Sequence, residues 1–332
     1  MRGDEPPVAE EPILKVEDLK TYFFTRAGVV KAVDGVSFEL RKGETLGIVG
    51  ESGSGKSMTA WSILGLVPKP AGRITGGRIL YQGANLLEKT EAEMQEIRGR
   101  GICMVMQDPL TSLNPVFNVG NQILECLRME SNQSARSLRE KAIELLTKVR
   151  IPAPEARISA FPHQMSGGMR QRVVGAIAIS RSPNLLIADE PTTSLDATIQ
   201  LQYLRLLKDI QAQTGAAIIF ITHDFGIVAR MCDRVAVMYA GRVVEQADVV
   251  QLFDNPAHPY TEALLHSVPD LDTEVDLLPS IEGQPPSLDN LPPGCAFAPR
   301  CPYAFDKCDE YPPEFSIESA HTARCWRYHA AI

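Results

Sequence analysis

The chain has 332 residues, which allows two or three domains and ample core, and its composition is that of an ordinary globular protein. Lys and Arg number 33 against 41 Asp and Glu, a net charge of −8, so a role driven by overall basicity, such as nucleic-acid binding, is disfavoured. Apolar runs such as residues 216–221 fall far short of the ~20 residues that cross a bilayer, so any membrane link goes through a partner.

Residues 1–12 are acidic and Pro-rich with no apolar h-region. They read as a disordered lead-in to a cytosolic chain and not as a signal peptide. Residues 13–24 predict one or two strands, and 29–33 and 36–40 two more, with turn signals at Asp34-Gly35 and Lys42-Gly43. The apolar run 45–49 leads into Gly50-Glu51-Ser52-Gly53-Ser54-Gly55-Lys56-Ser57, which meets every fixed position of G-x-x-x-x-G-K-[ST]. An apolar helix is predicted from Met58 to residue 66. In a strand–loop–helix unit, glycines let backbone N–H groups crowd around phosphate oxygens, and the helix start adds free donors. Lys56 can reach the β- and γ-phosphates, and Ser57 can offer its hydroxyl to Mg²⁺.

Gly76-Gly77 opens another strand, 78–81, and 102–106 is a short apolar strand ending at Gln107. Between 120 and 150 the period becomes helical, a helical insert broken by Pro152, Pro154 and Pro162. Met165-Ser166-Gly167-Gly168 then starts a helix over 169–182. Leu185-Leu186-Ile187-Ala188 is an unalternated run, as expected of a parallel strand covered on both faces, and ends in Asp189-Glu190-Pro191. A helix over 199–213, a strand over 217–221 ended by Thr222-His223-Asp224, and a hairpin at 235–238 and 242–244 complete this part.

Asp189 is placed at the carboxyl end of a central strand, where open α/β sheets bind ligands, and there it can hold Mg²⁺ through water. Glu190 can polarise a water attacking the γ-phosphate. Gln107 can reach Mg²⁺ or that water, and His223 can bond the γ-phosphate or steady Glu190. Singly, Gln107 and His223 read equally as capping residues; their weight lies in convergence at strand ends of one sheet. Ser166-Gly167-Gly168 is a second glycine-rich helix start. One nucleotide hardly needs two such cradles, so the second is expected to serve a nucleotide bound to another subunit.

These residues, taken together and in order, resemble the ATP-binding subunits of ABC transporters over residues 12–250. The Walker A loop from Gly50 to Ser57, the Q-loop Gln107, the signature Met165-Ser166-Gly167-Gly168-Met169, the Walker B run ending in Asp189 and Glu190, the D-loop Ser194-Leu195-Asp196 and the switch His223 carry the resemblance. It implies a head-to-tail dimer with ATP sandwiched between Lys56 of one subunit and Ser166-Gly167-Gly168 of the other. It also implies an aromatic on adenine, placed at Phe23. The signature departs from the common Leu-Ser-Gly-Gly-Gln, and Met169 loses an amide. A narrower resemblance, to oligopeptide/dipeptide permease ATPases, rests on the stretches 107–115, 255–261 and 294–304. It implies two membrane permease subunits, a second homologous ATPase (a heterodimer, or a homodimer), an extracytoplasmic substrate-binding protein acting indirectly, and a place at the cytoplasmic face of the membrane.

Cys295, Cys301, Cys308 and Cys325 crowd into a Pro-rich tail, with five, six and sixteen residues between them. Disulfides are disfavoured in the cytosol, and a short tail with little core invites a metal staple. Zinc sites usually show tighter Cys pairs, whereas iron–sulfur ligation tolerates other spacings. The family's similar extension carries a [4Fe–4S] cluster in some members, which leaves a cluster, Zn²⁺ or free thiols. His258, His321 and His329 read as surface or structural residues.

The expected fold is α/β: a RecA-like P-loop core over 13–250 with an antiparallel β subdomain, a helical subdomain at about 109–175, and a Cys-rich extension over 251–332. The expected activity is ATP hydrolysis energising an importer, with Glu190, His223, Gln107 and Lys56 as the catalytic set. The alternative is a soluble ABC-type ATPase acting on nucleic acid or ribosomes. A GTPase switch would need Asn-Lys-x-Asp, which the chain lacks.

Overall fold

The computed structural model describes residues 11–129, 133–193, 195–267 and 280–331. Most of the lead-in and Ser194 of the D-loop lie outside the described residues.

The first sheet is antiparallel. It is built from β1 (Leu14–Thr25), β2 (Gly28–Leu40), β4 (Gly72–Tyr81) and β5 (Ala84–Asn85) in the order β2-β1-β4-β5. The two strands expected at 29–33 and 36–40 are one. Lys20 pairs with Asp34 and Leu19 with Val36, so Gly35 is the extra residue of a β-bulge. Its φ of 82° suits glycine, and the turn signal is absorbed without ending the strand.

The second sheet has the order β11-β12-β10-β9-β3-β8-β7-β6. Its centre is parallel: β3 (Thr45–Val49) lies between β8 (Ala217–Thr222) and β9 (Arg234–Tyr239), with β7 (Leu185–Asp189) and β6 (Ile102–Val105) beyond β8. Every residue of β3, β7 and β8 is buried, as the unalternated runs require. Period-two alternation divides these strands between two cores. Leu46, Ile48, Leu185, Ile187, Ile219 and Ile221 meet the antiparallel sheet and helix α1 (Lys56–Ile63). Val49, Leu186, Ala188, Ile218 and Phe220 meet the helices of the opposite face.

The helical insert contributes α4 (Val119–Arg128), α5 (Ala135–Lys148) and α7 (Gly167–Ile179), after the short α2 (Glu91–Ile97) and α3 (Pro109–Ser112) and with α6 (Pro154–Arg157) between. Asn118, Ser134 and Ser166 cap α4, α5 and α7 by accepting from the third N–H of each helix. Ile123, Leu127, Leu138, Ala142, Leu146 and Val173 fill the space between them. Helix α8 (Ala197–Thr214) starts on the Asp196 cap and stops at Gly215, left-handed at φ 67°.

The tail is joined to the core through its strands. β10 (Arg242–Asp248) pairs on one side with β9 and on the other with β12 (His321–Ala323), which pairs with β11 (Phe315–Glu318). The last residues therefore lengthen the central sheet. Buried Glu245 on β10 accepts from the N–H groups of Ala257 and His258 (2.7 and 2.8 Å) and lies 2.9 Å from His321 Nε2. His258 and His321 are thus structural, and burial pushes His258 down to about 4. His329 is exposed, 2.8 Å from Lys307 Nζ.

Candidate nucleotide site

The loop between β3 and α1 follows directly from its glycines. Gly50, Gly53 and Gly55 take φ of 152°, 80° and 101°. A Cβ at Gly50 would run into the Met238 carbonyl, and one at Gly55 into that of Ala32. Only glycine lets the loop close this tightly against β9 and β2. Gly55 enters α1 with no side chain capping the helix, which leaves its first N–H groups for a ligand. Ser54 Oγ is buried with no partner among the described residues.

Lys56 is buried, its Nζ donating to the carbonyls of Gly50 (2.7 Å) and Glu51 (2.9 Å). Burial lowers its pKa, opposed by the charges of Glu190, Asp189 and Glu51. Ser57 Oγ donates to Asp189 Oδ1 at 2.9 Å. Burial raises the Asp189 pKa, against the bond from Ser57. A carboxylate carrying that desolvation cost, joined to a hydroxyl, is a donor set that a divalent cation would relieve.

Glu190 sits one residue past β7 with φ of 43°, its N–H donating to Ile221 O at 3.0 Å. This left-handed turn aims its carboxylate between three strand ends. Gln107 Nε2 donates to Glu190 Oε2 at 3.0 Å, Thr193 Oγ1 to the same oxygen at 3.1 Å, and His223 Nδ1 lies 3.4 Å from Oε1. Gln107, Glu190 and His223, 116 residues apart at the extremes, thus meet. They line one cavity of about 950 Å³ with Ser52, Gly53, Ser54, Gly55, Lys56, Ser57 and Met58.

Two expected groups stand apart. Ser166 and Gly167 are exposed at the start of α7 and do not line this cavity. Met165 is buried in the helical core, so Met for Leu there is a volume-conserving change. Phe23, expected over adenine, pairs with Val30 and Gly72 in the antiparallel sheet. Its ring lies against Gly72, outside the cavity lining. Tyr22 donates its hydroxyl to Asp34 at 2.6 Å, and Phe24 lies under the Arg73 guanidinium at 5.6 Å.

The expected four-cysteine metal centre is not formed as such. Among the described residues no group of three or more His, Cys, Asp or Glu side chains is gathered to hold a metal ion. The four cysteines are free but line one small cavity, with Phe297, Phe305 and Trp326. Burial pushes the thiols of Cys295, Cys301 and Cys325 up, the last to about 11.

Several residues at the site carried no local sequence signal. Besides Thr193, they come from the tail. Glu51 N–H donates to Tyr260 Oη at 2.8 Å, and the Glu51 carboxylate takes a bidentate pair from Arg300 at 2.8 and 3.1 Å. Gln284, Pro285 and Leu288 complete the cavity lining. Only the fold brings them there, across about 230 residues of sequence.

The family profile described as "ABC transporter" matches residues 33–193. That described as "Oligopeptide/dipeptide transporter, C-terminal region" matches residues 244–308. The oligopeptide transport ATP-binding protein AppD of Bacillus subtilis is 50% identical over 317 residues, covering 95% of this chain and 97% of its own. The dipeptide transport ATP-binding protein DppD of the same organism is 49% identical, with 95% of each chain covered. The chain belongs to the ABC transporter ATP-binding proteins. Among solved structures, the dimeric post-hydrolysis state of the cassette MJ0796 bound to ADP and Pi superposes with a TM-score of 0.64 at 25% identity, over 71% of this chain and 98% of that one. CbiO1 of Clostridium perfringens, part of the cbiONQ ABC transporter complex, gives 0.64 at 28%, over 74% and 92%. This ABC protein therefore has the RecA-like cassette fold and is an ATPase. No helix among its described residues is long and apolar enough to cross a membrane.

Proposed function

We propose that the protein energises an ABC importer of oligopeptides or dipeptides from the cytoplasmic face of the membrane. The observation that carries this reading is the pairing of a cassette with the oligopeptide/dipeptide C-terminal region in one chain, shared with peptide-transport relatives along nearly their whole length. We divide the chain into an ATPase domain, 13–250, and an extension, 251–332. The partners are two permease subunits and a second homologous ATPase, or a second copy of this chain, with an extracytoplasmic binding protein acting indirectly. Nucleic acid has no part in it.

ATP lies with its phosphates on Gly50 to Ser57 and Met58, and Ser166-Gly167-Gly168 of the neighbouring subunit closes over the γ-phosphate. Ser57, Asp189 and Gln107 would hold Mg²⁺, which neutralises developing phosphate charge. Glu190 orients and deprotonates water, while Lys56 and His223 take up charge on the γ-phosphate. What supports these roles is the meeting of the phosphate loop from Ser52 to Met58 with Gln107, Glu190 and His223 in one cavity, with Asp189 joined to it through Ser57 and Glu190 steadied by Gln107, Thr193 and His223. Pull-down from detergent-solubilised membranes tests the assembly. Recovery of permeases and a peptide-stimulated ATPase is expected; recovery with ribosomes or RNA would overturn it.

The four cysteines would hold a [4Fe–4S] cluster that staples the tail. Four sulfurs on one cavity support this, and their wide sequence spacing suits a cluster better than Zn²⁺. Anaerobic purification with a visible spectrum and metal assay decides. A colourless protein with stoichiometric zinc would sink the cluster.

A further inference from the structure

We propose that the tail segment 281–288 is a wall of the nucleotide site in the same chain, with Gln284 and Leu288 contacting the adenine of bound ATP. This rests on the ATP reading of the cavity above. The cavity is larger than three phosphates need, and its floor of loop N–H groups, Lys56 and Ser57 serves the phosphates. The nucleoside must lie against what remains of the lining: Ala32, Gln284, Pro285 and Leu288.

The segment is held at both ends. Arg300 donates from Nε to Glu282 O at 2.9 Å and from Nη2 to Ile281 O at 3.3 Å, while its guanidinium also grips Glu51 inside the phosphate loop. At the other end Leu288 O accepts from Lys31 N at 3.0 Å, one residue before Ala32. Ile281 and Leu288 pack against the helical-side core. The segment thus runs from the phosphate loop to β2, fixed to each.

Its side chains suit a base. Pro285 and Leu288 offer apolar faces, and the exposed Gln284 amide presents a donor beside an acceptor, the pattern that the adenine edge complements. Among the aromatics of β1, Tyr22 bonds Asp34 and Phe24 lies under Arg73, while Phe23 is half-buried beside Gly72. The tail therefore adds its contacts to whatever β1 supplies.

Calorimetric titration of the purified full chain with ATP and with inorganic tripolyphosphate tests this. Gln284→Ala, at an exposed position, should weaken ATP about three- to tenfold and leave tripolyphosphate unchanged. Leu288→Ala should do the same, with unchanged tripolyphosphate affinity showing that the phosphate loop stays folded despite the lost packing. ATP affinity of wild-type strength in Gln284→Ala, or an equal loss for both ligands, would overturn the inference. So would Phe23→Ala weakening ATP where Gln284→Ala does not. A wild-type chain that binds neither ligand would fail the site reading itself, and this inference with it.

Discussion

At Gly55 the chain enters α1 in a left-handed conformation with the helix end uncapped. At Ser166 it enters α7 extended, with its own hydroxyl accepting from Met169 N–H. Both starts are rich in glycine and serine, and by pattern alone both are anion cradles. The first is walled by β9, β2 and the tail, holds a buried lysine, and leaves Ser54 Oγ without a partner. The second is exposed, and a Cβ on Gly167 would meet nothing within 4 Å. A helix start left uncapped and walled by its own chain is preorganised for a ligand. One that is exposed and already capped gains use only when another surface is brought to it.

Breaking the first region should have the largest consequences. Glu190→Gln keeps the volume and the bonds from Gln107 and Thr193 but removes the base, so turnover should fall about 10²–10⁴-fold with ATP affinity retained. Steady-state hydrolysis alongside a binding isotherm checks this, and wild-type turnover would remove Glu190 as the base. Lys56→Ala deletes the buried cation facing the phosphates. ATP should bind on the order of a hundredfold more weakly, about 3 kcal/mol, read by the same titration. Gly167→Ala sharpens the contrast. No space is violated and alanine favours the helix, so the melting temperature should hold or rise. Monomer ATP affinity should also hold, while hydrolysis falls roughly tenfold if the methyl obstructs a nucleotide on the facing subunit. Unchanged hydrolysis would detach α7 from the chemistry. Arg300→Met should act on the first region alone. It leaves the half-buried Glu51 carboxylate without its pair, lowering stability by about 1–3 kcal/mol in urea melts, with no effect traceable to α7.

How far the sequence could be read differed with the range of the interaction. Gly50 to Ser57 was legible because loop, strand and helix are neighbours in sequence and each obeys a local rule. Asp189, Glu190, Gln107 and His223 were legible as strand ends, since a buried parallel strand announces itself by an unbroken apolar run and its carboxyl end is where sheets bind ligands. The bulge at Gly35 was not, because a glycine at positive φ signals a turn and a bulge alike until the partner strand is known. Phe23 was placed by counting along β1; that its ring lies beside Gly72 is a matter of cross-strand packing that counting does not show.

By itself the sequence determined the cassette fold, the phosphate loop and the order of its companion motifs, because these depend on hydrophobic period and on glycine where Cβ cannot fit. Tertiary structure alone decided that Arg300 and Tyr260 brace Glu51, that Gln284 and Leu288 border the cavity, that β11 and β12 lengthen the central sheet, and that four cysteines share one cavity. Such contacts join residues far apart in sequence, and no local propensity encodes them. They exist because the tail buries its apolar groups against the sheet and, in docking there, carries its polar side chains to the edge of the phosphate loop.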